Sequence, residues 1–210
     1  MKFTESIRPQ FLREREPHMS KLDLKNVTLV CADGNNKKEA KQLLEMISEE
    51  IHFHDTKVFT KNLNSIKDYN LFVASKLSSE IESEFCMVVQ LDGYPLNLGA
   101  WDDAYLKYDY IGAPWYTQPH PIEKTVGNGG FSIRSKKYLE ECEKMEFAGE
   151  IPEDEFFCRK MDDVLKDQGI KFAPHTLAYK FSVEDLPYKG QFGFHGRTTI
   201  QINQSLGIFS

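Results

Sequence analysis

An α/β domain, with a mixed but mainly parallel sheet flanked by helices, is the fold class this sequence predicts. Three observations carry that reading. Strand-like and helix-like segments alternate through the first half of the chain, as in parallel strands joined by crossover helices. The run "CMVVQLDGYPLN", residues 86–97, opens with five residues in six that suit the middle of a buried strand, then turns polar at Gln90, Asp92, Gly93 and Tyr94. The 210 residues contain no repeat and no low-complexity linker, which suits one domain over residues 25–210 behind an arm over residues 1–24.

The arm reads as irregular or briefly helical, because Pro9 and Pro17 interrupt it. "NVTLVCADG" is β-branched and apolar and predicts a first strand ending at Asp33-Gly34. Residues 37–51 carry Ala40, Leu43, Leu44 and Ile47 at helical spacing. "TKVFTK" predicts a short second strand, and residues 65–81 a helix with Ile66, Tyr69, Phe72, Val73 and Leu77 on one face. The opening run follows as a central strand, then "WDDAYLKYD" as a short helix and "YIGAPW" as a strand entering a loop at Pro114. "VGNGGFSIRS" reads as glycines leading into a strand, with Ser135 capping the helix "KKYLEECEKM". Pro152 suits the first position of one long helix, "PEDEFFCRKMDDVLKDQ", which Gly169 ends. "IKFAPHTLAYKFSV" predicts a late strand pair and "QFGFHGR" a glycine-flanked turn.

Composition narrows the function classes. Hydrophobic residues at 40% and charged residues at 28% are those of an ordinary globular protein. A net charge of −6 argues against a general nucleic-acid or anionic-membrane binder, since phosphate affinity comes from clustered Lys and Arg. Cys31, Cys86, Cys142 and Cys158 are scattered with no C-x-x-C pair, which predicts buried free thiols in a reducing compartment. No apolar run approaches the ~18–20 residues of a membrane span, and "MKFTESIRPQFLREREPH" lacks the apolar centre of a signal peptide, so a cytoplasmic location is expected.

Ligands of such sheets bind beyond the C-terminal ends of the strands, so Asp33 and Asp92 are expected to face one crevice. Asp92 reads either as an Asp-Gly turn, with Gly93 at positive φ, or as a metal or substrate ligand. On a strand, Gln90 and Asp92 point the same way, and two oxygen-bearing groups suit a hard divalent cation. "GNGG" is neither a G-x-x-x-x-G-K loop nor a G-x-G-x-x-G fingerprint. Gly129 and Gly130 mark either a bulge or a close approach of backbone to a sugar or diphosphate, with Arg134 as anion partner. Glu153 and Asp154 either complement a helix dipole or supply a general base. His195, between glycines, is either a surface turn residue or a metal ligand. Trp115, after Pro114, is either core or the wall of a sugar site.

In order along the chain, "VVQLDGYPLN", "YDYIGAPW", "VGNGGFSIRS", "EDEFFCR", "IKFAPHTLAYKFSVE" and "FGFHG" resemble a family catalogued mostly as a domain of unknown function and described as glycosyltransferase-like. The resemblance spans residues 65–196. It implies the GT-A fold, a Rossmann-like nucleotide-sugar-binding single domain, and transfer of a sugar from a nucleoside diphosphate, UDP-sugar first, to an acceptor hydroxyl with inversion. By position it implies Asp92 and His195 as ligands of Mn²⁺ or Mg²⁺, with Gln90 where Asp-x-Asp enzymes place their first acid. It implies Asp154 or Glu153 as catalytic base. Donor contacts would come from Ala32, Asp33, Gln90, Asp92, Gly129, Gly130, Arg134 and Arg197, with Lys189 a further candidate for the diphosphate. The acceptor would be a glycan, a lipid, a protein or a hydroxylated base in phage DNA, where Arg8, Arg13 and Arg15 of the arm would meet phosphates and the base would leave the stack. Gln90 keeps a second reading open, a non-catalytic nucleotide-sugar-binding module on a degenerate transferase scaffold.

Overall fold

The computed structural model describes residues 21–116 and 126–209, so residues 1–20 of the arm, with Arg8, Arg13 and Arg15, lie outside the described residues. The described chain begins with β1 (Leu22–Ala32), helix α1 (Lys37–Glu50) and β2 (Ile51–Phe59). Helix α2 (Ile66–Ser75) and the short α3 (Leu77–Glu80) lead to β3 (Phe85–Val88), and a tight turn opens β4 (Gly93–Pro95). Two 3₁₀ turns, Leu98–Ala100 and Asp103–Lys107, precede β5 (Tyr110–Gly112). Beyond it come β6 (Ser132–Ser135), α4 (Lys136–Glu143), α5 (Glu153–Glu155), a π-helical turn (Phe156–Lys160) and α6 (Asp162–Asp167). Helix α7 (His175–Phe181), β7 (Ser182–Glu184), β8 (Gly193–His195) and α8 (Arg197–Ser205) complete it.

Five strands form a sheet in the order β2-β1-β3-β6-β5. β1 pairs in parallel with β2 and β3, while β6 pairs antiparallel with both β3 and β5. Only β6 therefore runs against the other four, and the architecture is a mixed α/β domain with its sheet flanked by helices. A second sheet, β4-β8-β7, packs beside it.

The apolar runs of β1 and β3 are continuous because both faces of these strands are covered. Leu29, Cys31, Met87 and Val89 face a core with Ala40, Leu43, Leu44 and Ile47 of α1 and with Phe131, Phe181, Phe192 and Phe194. Val30, Cys86 and Val88 face the opposite core with Val73, Leu77, Tyr138, Leu139, Phe157 and Cys158. All four cysteines are buried free thiols, and burial pushes Cys31 and Cys86 up to about 12. No described helix is long and apolar enough to cross a membrane.

Several elements differ from the sequence expectations. β1 starts at Leu22, inside the stretch assigned to the arm, because Leu22, Asp23 and Leu24 pair with Ile51, His52 and Phe53 of β2. Ile66 is 77% exposed and does not share the buried face of α2. The long helix after Pro152 is broken by the π-helical turn, closed by Met161 N–H donating to Phe156 O at 3.0 Å. The extra residue sends Phe157 and Cys158 into the core while Arg159 turns to the Trp115 ring. The expected late strand pair is instead α7 followed by β7: Leu177 and Ala178 N–H both donate to Pro174 O at 3.0 Å, and Ala178 and Phe181 bury one face. Proline just before a helix loses nothing by lacking an N–H, and that outweighs the β-like alternation of this segment.

Candidate functional site

β3 leaves its partner soon after Val88. Val89 N–H still donates to Val30 O at 2.9 Å, and then Gln90 and Gly93 exchange two backbone hydrogen bonds of 3.0 Å each. Gln90 and Asp92 thus stand on a four-residue turn joining the two sheets, not on a strand face. The Asp-Gly turn is real, but Gly93 does not use positive φ. It is glycine because a Cβ would lie 2.5 Å from Cδ2 of His195.

His195 ends β8 and meets the turn from the second sheet. Its Nδ1 is 2.9 Å from Glu184 Oε1, which also accepts from Asn128 Nδ2 at 2.7 Å. Its Nε2 is 3.2 Å from Gln90 Oε1 and 3.8 Å from Asp92 Oδ1. A carboxylate on Nδ1–H fixes the ring and turns Nε2 toward the remaining partners, as around metal-bound imidazoles. The Nε2 position, an amide oxygen and a carboxylate then converge on one point, an arrangement that calls for a proton on Nε2 or a cation between them. Burial, the largest influence, works against the charged ring, but the hydrogen bond and charge of Glu184, with Asp92 and Asp154, raise the His195 pKa above its usual value.

A Cβ on Gly130 would fall on Nε2 of His195. We expect Gly130→Ala to drive the imidazole from the site and to lower stability by about 1–3 kcal/mol, the usual range for overpacking. Urea unfolding measures the second effect. Histidine ring NMR shifts measure the first, and an unmoved His195 resonance would refute it.

Loop and helix meet at Gly129. Its N–H donates to Asp154 Oδ2 at 2.8 Å, and its carbonyl accepts from Ser132 Oγ and Arg134 Nη2, each at 3.1 Å. Arg134 is 1% exposed, with Nη1 and Nη2 on the two oxygens of Glu153 at 3.2 and 2.9 Å and Nε on Ser132 Oγ at 3.0 Å. Each of its nitrogens is therefore spent on protein, which corrects its assignment to a diphosphate. Glu153 is likewise excluded as base, since it is 3% exposed and closed by Arg134. The glycines also have a different use from the one expected. Gly129 makes room for Arg134 and Glu153, each 2.8 Å from where its Cβ would stand, and Gly130 makes room for His195.

Asp154 is the acid of the pair that Arg134 does not bind. Burial first, and then the charge of Glu153, push it up to about 7, against the pull of the Gly129 and Glu155 N–H groups and Arg134. Beside it the Tyr69 hydroxyl is buried next to Glu153, Arg134 and Gln90, without a hydrogen bond of ordinary geometry.

Other expected residues stand apart from this cluster. Asp33 follows β1 on the same sheet edge, but its carboxylate accepts from the N–H of Asn35 and Asn36 at 2.8 Å and from Asn36 Nδ2 at 3.0 Å, shaping the entry to α1. Ala32 is buried at the end of β1 beside Phe59. Arg197 is exposed on the first turn of α8, after Gly196 at φ 94°. Lys189 lines a separate groove of about 610 Å³ with Trp101, Tyr105, Tyr179 and Lys180. None of the site residues Asp92, Gly129, Asp154 or His195 lines that groove. Glu184 and Asn128 were not singled out from sequence. Glu184 carries the same signal as Asp92, an acid closing a short apolar strand, here β7.

Among the described residues, no group of three or more His, Cys, Asp or Glu is arranged to hold a metal ion. No curated protein matches the sequence. Among solved structures, the crystal structure of A197 from STIV is similar at 11% identity, over 73% of this chain and 82% of that one, with a TM-score of 0.42. A family profile matches residues 52–195, a span that contains Asp92, the glycine loop, Asp154, Glu184 and His195. The chain belongs to that family, described as "Protein of unknown function (DUF5672)".

Proposed function

We propose that this chain is a glycosyltransferase of GT-A type that moves a sugar from a UDP-sugar to an acceptor hydroxyl with inversion. The observation that carries the reading is the meeting, around loop 127–130, of a carboxyl with a pKa near neutrality and a His195–Asp92–Gln90 convergence. Both lie by the edge where β1 and β3 end, where ligands of such sheets bind. The sheet order, with one reversed strand beside parallel ones, supports the GT-A assignment.

In this reading the acceptor oxygen forms the new bond to the anomeric carbon as the bond from that carbon to the diphosphate oxygen breaks. The diphosphate leaves with the electron pair, and Asp154 takes the acceptor proton. Asp92 and His195 fit a divalent cation as a partial donor set, with Gln90 adding an amide oxygen and Glu184 orienting the imidazole. Bound there, Mn²⁺ or Mg²⁺ supplies Lewis acidity toward the diphosphate. With one carboxylate and one neutral imidazole as protein donors, the pair suits a cation that arrives with phosphate oxygens.

The test is melting and turnover together. UDP at a hundred times its Kd, with Mn²⁺, raises Tm by about 5–10 °C for a chain of this size. UDP-sugars incubated with the protein release UDP. Asp92→Ala loses the part of UDP binding that depends on Mn²⁺, by calorimetry. If no nucleotide shifts Tm and no UDP-sugar is cleaved, the reading fails. Gln90 supports a second reading, a binding module without turnover, which a Mn²⁺-dependent Tm shift with no UDP release would establish.

A further inference from the structure

With Arg134 spent on Glu153, the crevice needs another cation for an anionic ligand, and the structure holds one that sequence reasoning passed over. Arg159 sits on the π-helical turn that follows Asp154. Its guanidinium carbon is 4.0 Å from the centre of the Trp115 ring, a stacked cation–π distance. The remaining glycine of the loop builds this platform. A Cβ on Gly127 would stand 2.5 Å from Cβ of Cys158 and 2.8 Å from Cη2 of Trp115, so only glycine lets the indole lie against the turn.

The guanidinium is held over the indole but is not consumed. Its Nε is buried and meets no acceptor. Asp154, Glu155 and Glu184 act on its charge, yet among the described residues none of them pairs with it within 4.0 Å. Glu184 is the carboxylate on His195, which puts Arg159 in the field of the convergence point described above. A buried N–H without a partner is costly, and a ligand oxygen removes the cost. A planar guanidinium with free donors binds phosphate in two parallel hydrogen bonds, which a lysine cannot do.

We propose that Arg159, braced by Trp115, binds the diphosphate of the donor. The identity of the donor rests on the glycosyltransferase reading, while the recognition of a diphosphate group does not. Its removal costs charge-assisted hydrogen bonds, and the loss expected in affinity is about ten- to a hundredfold.

The experiment titrates UDP, inorganic pyrophosphate and uridine, with Mn²⁺, into the parent, Arg159→Gln and Arg159→Lys. Calorimetry gives affinity. Trp115 fluorescence, isolated on a Trp101→Phe background, reports the platform, since Trp101 is the other tryptophan in the chain. Arg159→Gln should lose the stated factor for UDP and pyrophosphate, with Arg159→Lys in between, and the Trp115 signal should respond to both ligands in the parent. Equal UDP affinity in parent and Arg159→Gln overturns the inference and leaves the transferase reading standing. A parent that ignores UDP but binds pyrophosphate through Arg159 overturns the transferase reading and keeps this one. A parent that binds neither ligand overturns both. Should Arg159→Gln fold poorly, Arg159→Lys at parental affinity for both ligands and with an unchanged Trp115 response overturns it equally.

Discussion

On the proposed mechanism, we expect Asp154→Asn to abolish sugar transfer and to leave UDP binding at the parental level. The amide keeps the size of the acid and, with its one oxygen, the Gly129 hydrogen bond, while it loses the one from Glu155 N–H and cannot take a proton. A positioned general base is worth about 10²–10⁴-fold in rate, so the residual activity falls near the limit of a UDP-release assay. Burial and the charge of Glu153 push the Asp154 pKa up to about 7, so on the proposed mechanism turnover should rise as pH passes through that value. Asp154→Asn shows no such rise. Equal turnover in the two proteins would remove Asp154 from the mechanism.

The same shift has a stability consequence of opposite direction. The folded pKa lies above the 3.8 usual for an aspartate, so the neutral form is the one that folding prefers. That preference is fully present below pH 3.8 and is lost as pH rises through about 7. Above pH 7, Asp154→Asn should therefore unfold at higher urea than the parent, the exchange of stability for activity common at catalytic groups.

The neighbouring carboxylate behaves differently. Glu153→Ala leaves the buried Arg134 guanidinium without its ion partner, and breaking a pair this deep costs about 3–5 kcal/mol. Domains are stable by about 5–15 kcal/mol in total, so the variant sits near the edge of folding. Adding Arg134→Met to Glu153→Ala should recover much of the loss, because no charge is then stranded in the core. Urea midpoints of the parent, the two single variants and the double variant measure this. Full additivity of the two single losses would show that the pair is not coupled.

Much of the first half of the fold was legible in the sequence. The helical spacing of Ala40, Leu43, Leu44 and Ile47 gave α1 nearly to its ends, and Ser135 caps α4 as its position predicts, accepting from Tyr138 N–H at 3.0 Å. The second half was less legible, because its elements are short and tertiary contacts set them. Nothing local in "HTLAYKFSVE" separates a seven-residue helix and a three-residue strand from a strand pair. The site shows the same division. Asp92, Asp154 and His195 were named from sequence and do cluster. Which acid of Glu153 and Asp154 is spent on an arginine is set by Arg134 on Glu153 and Gly129 N–H on Asp154, contacts between distant segments that have no local signal. Arg159 was invisible because what marks it, an indole face and an unmet N–H, exists only once residues 115, 127 and 159 are side by side.

The turn at residues 90–93 is the stitch between two sheets as well as the carrier of Gln90 and Asp92. Gly196 N–H donates to Asp92 O at 2.8 Å, so the stitch is tied down at the foot of α8. Heat that parts the sheets must undo the crevice in the same event, and a ligand in the crevice must clamp the sheets. Fastness to temperature and occupancy are then one property of this chain, and hydrogen exchange at the amides of Gln90, Gly93 and Gly196 would slow together when the crevice fills.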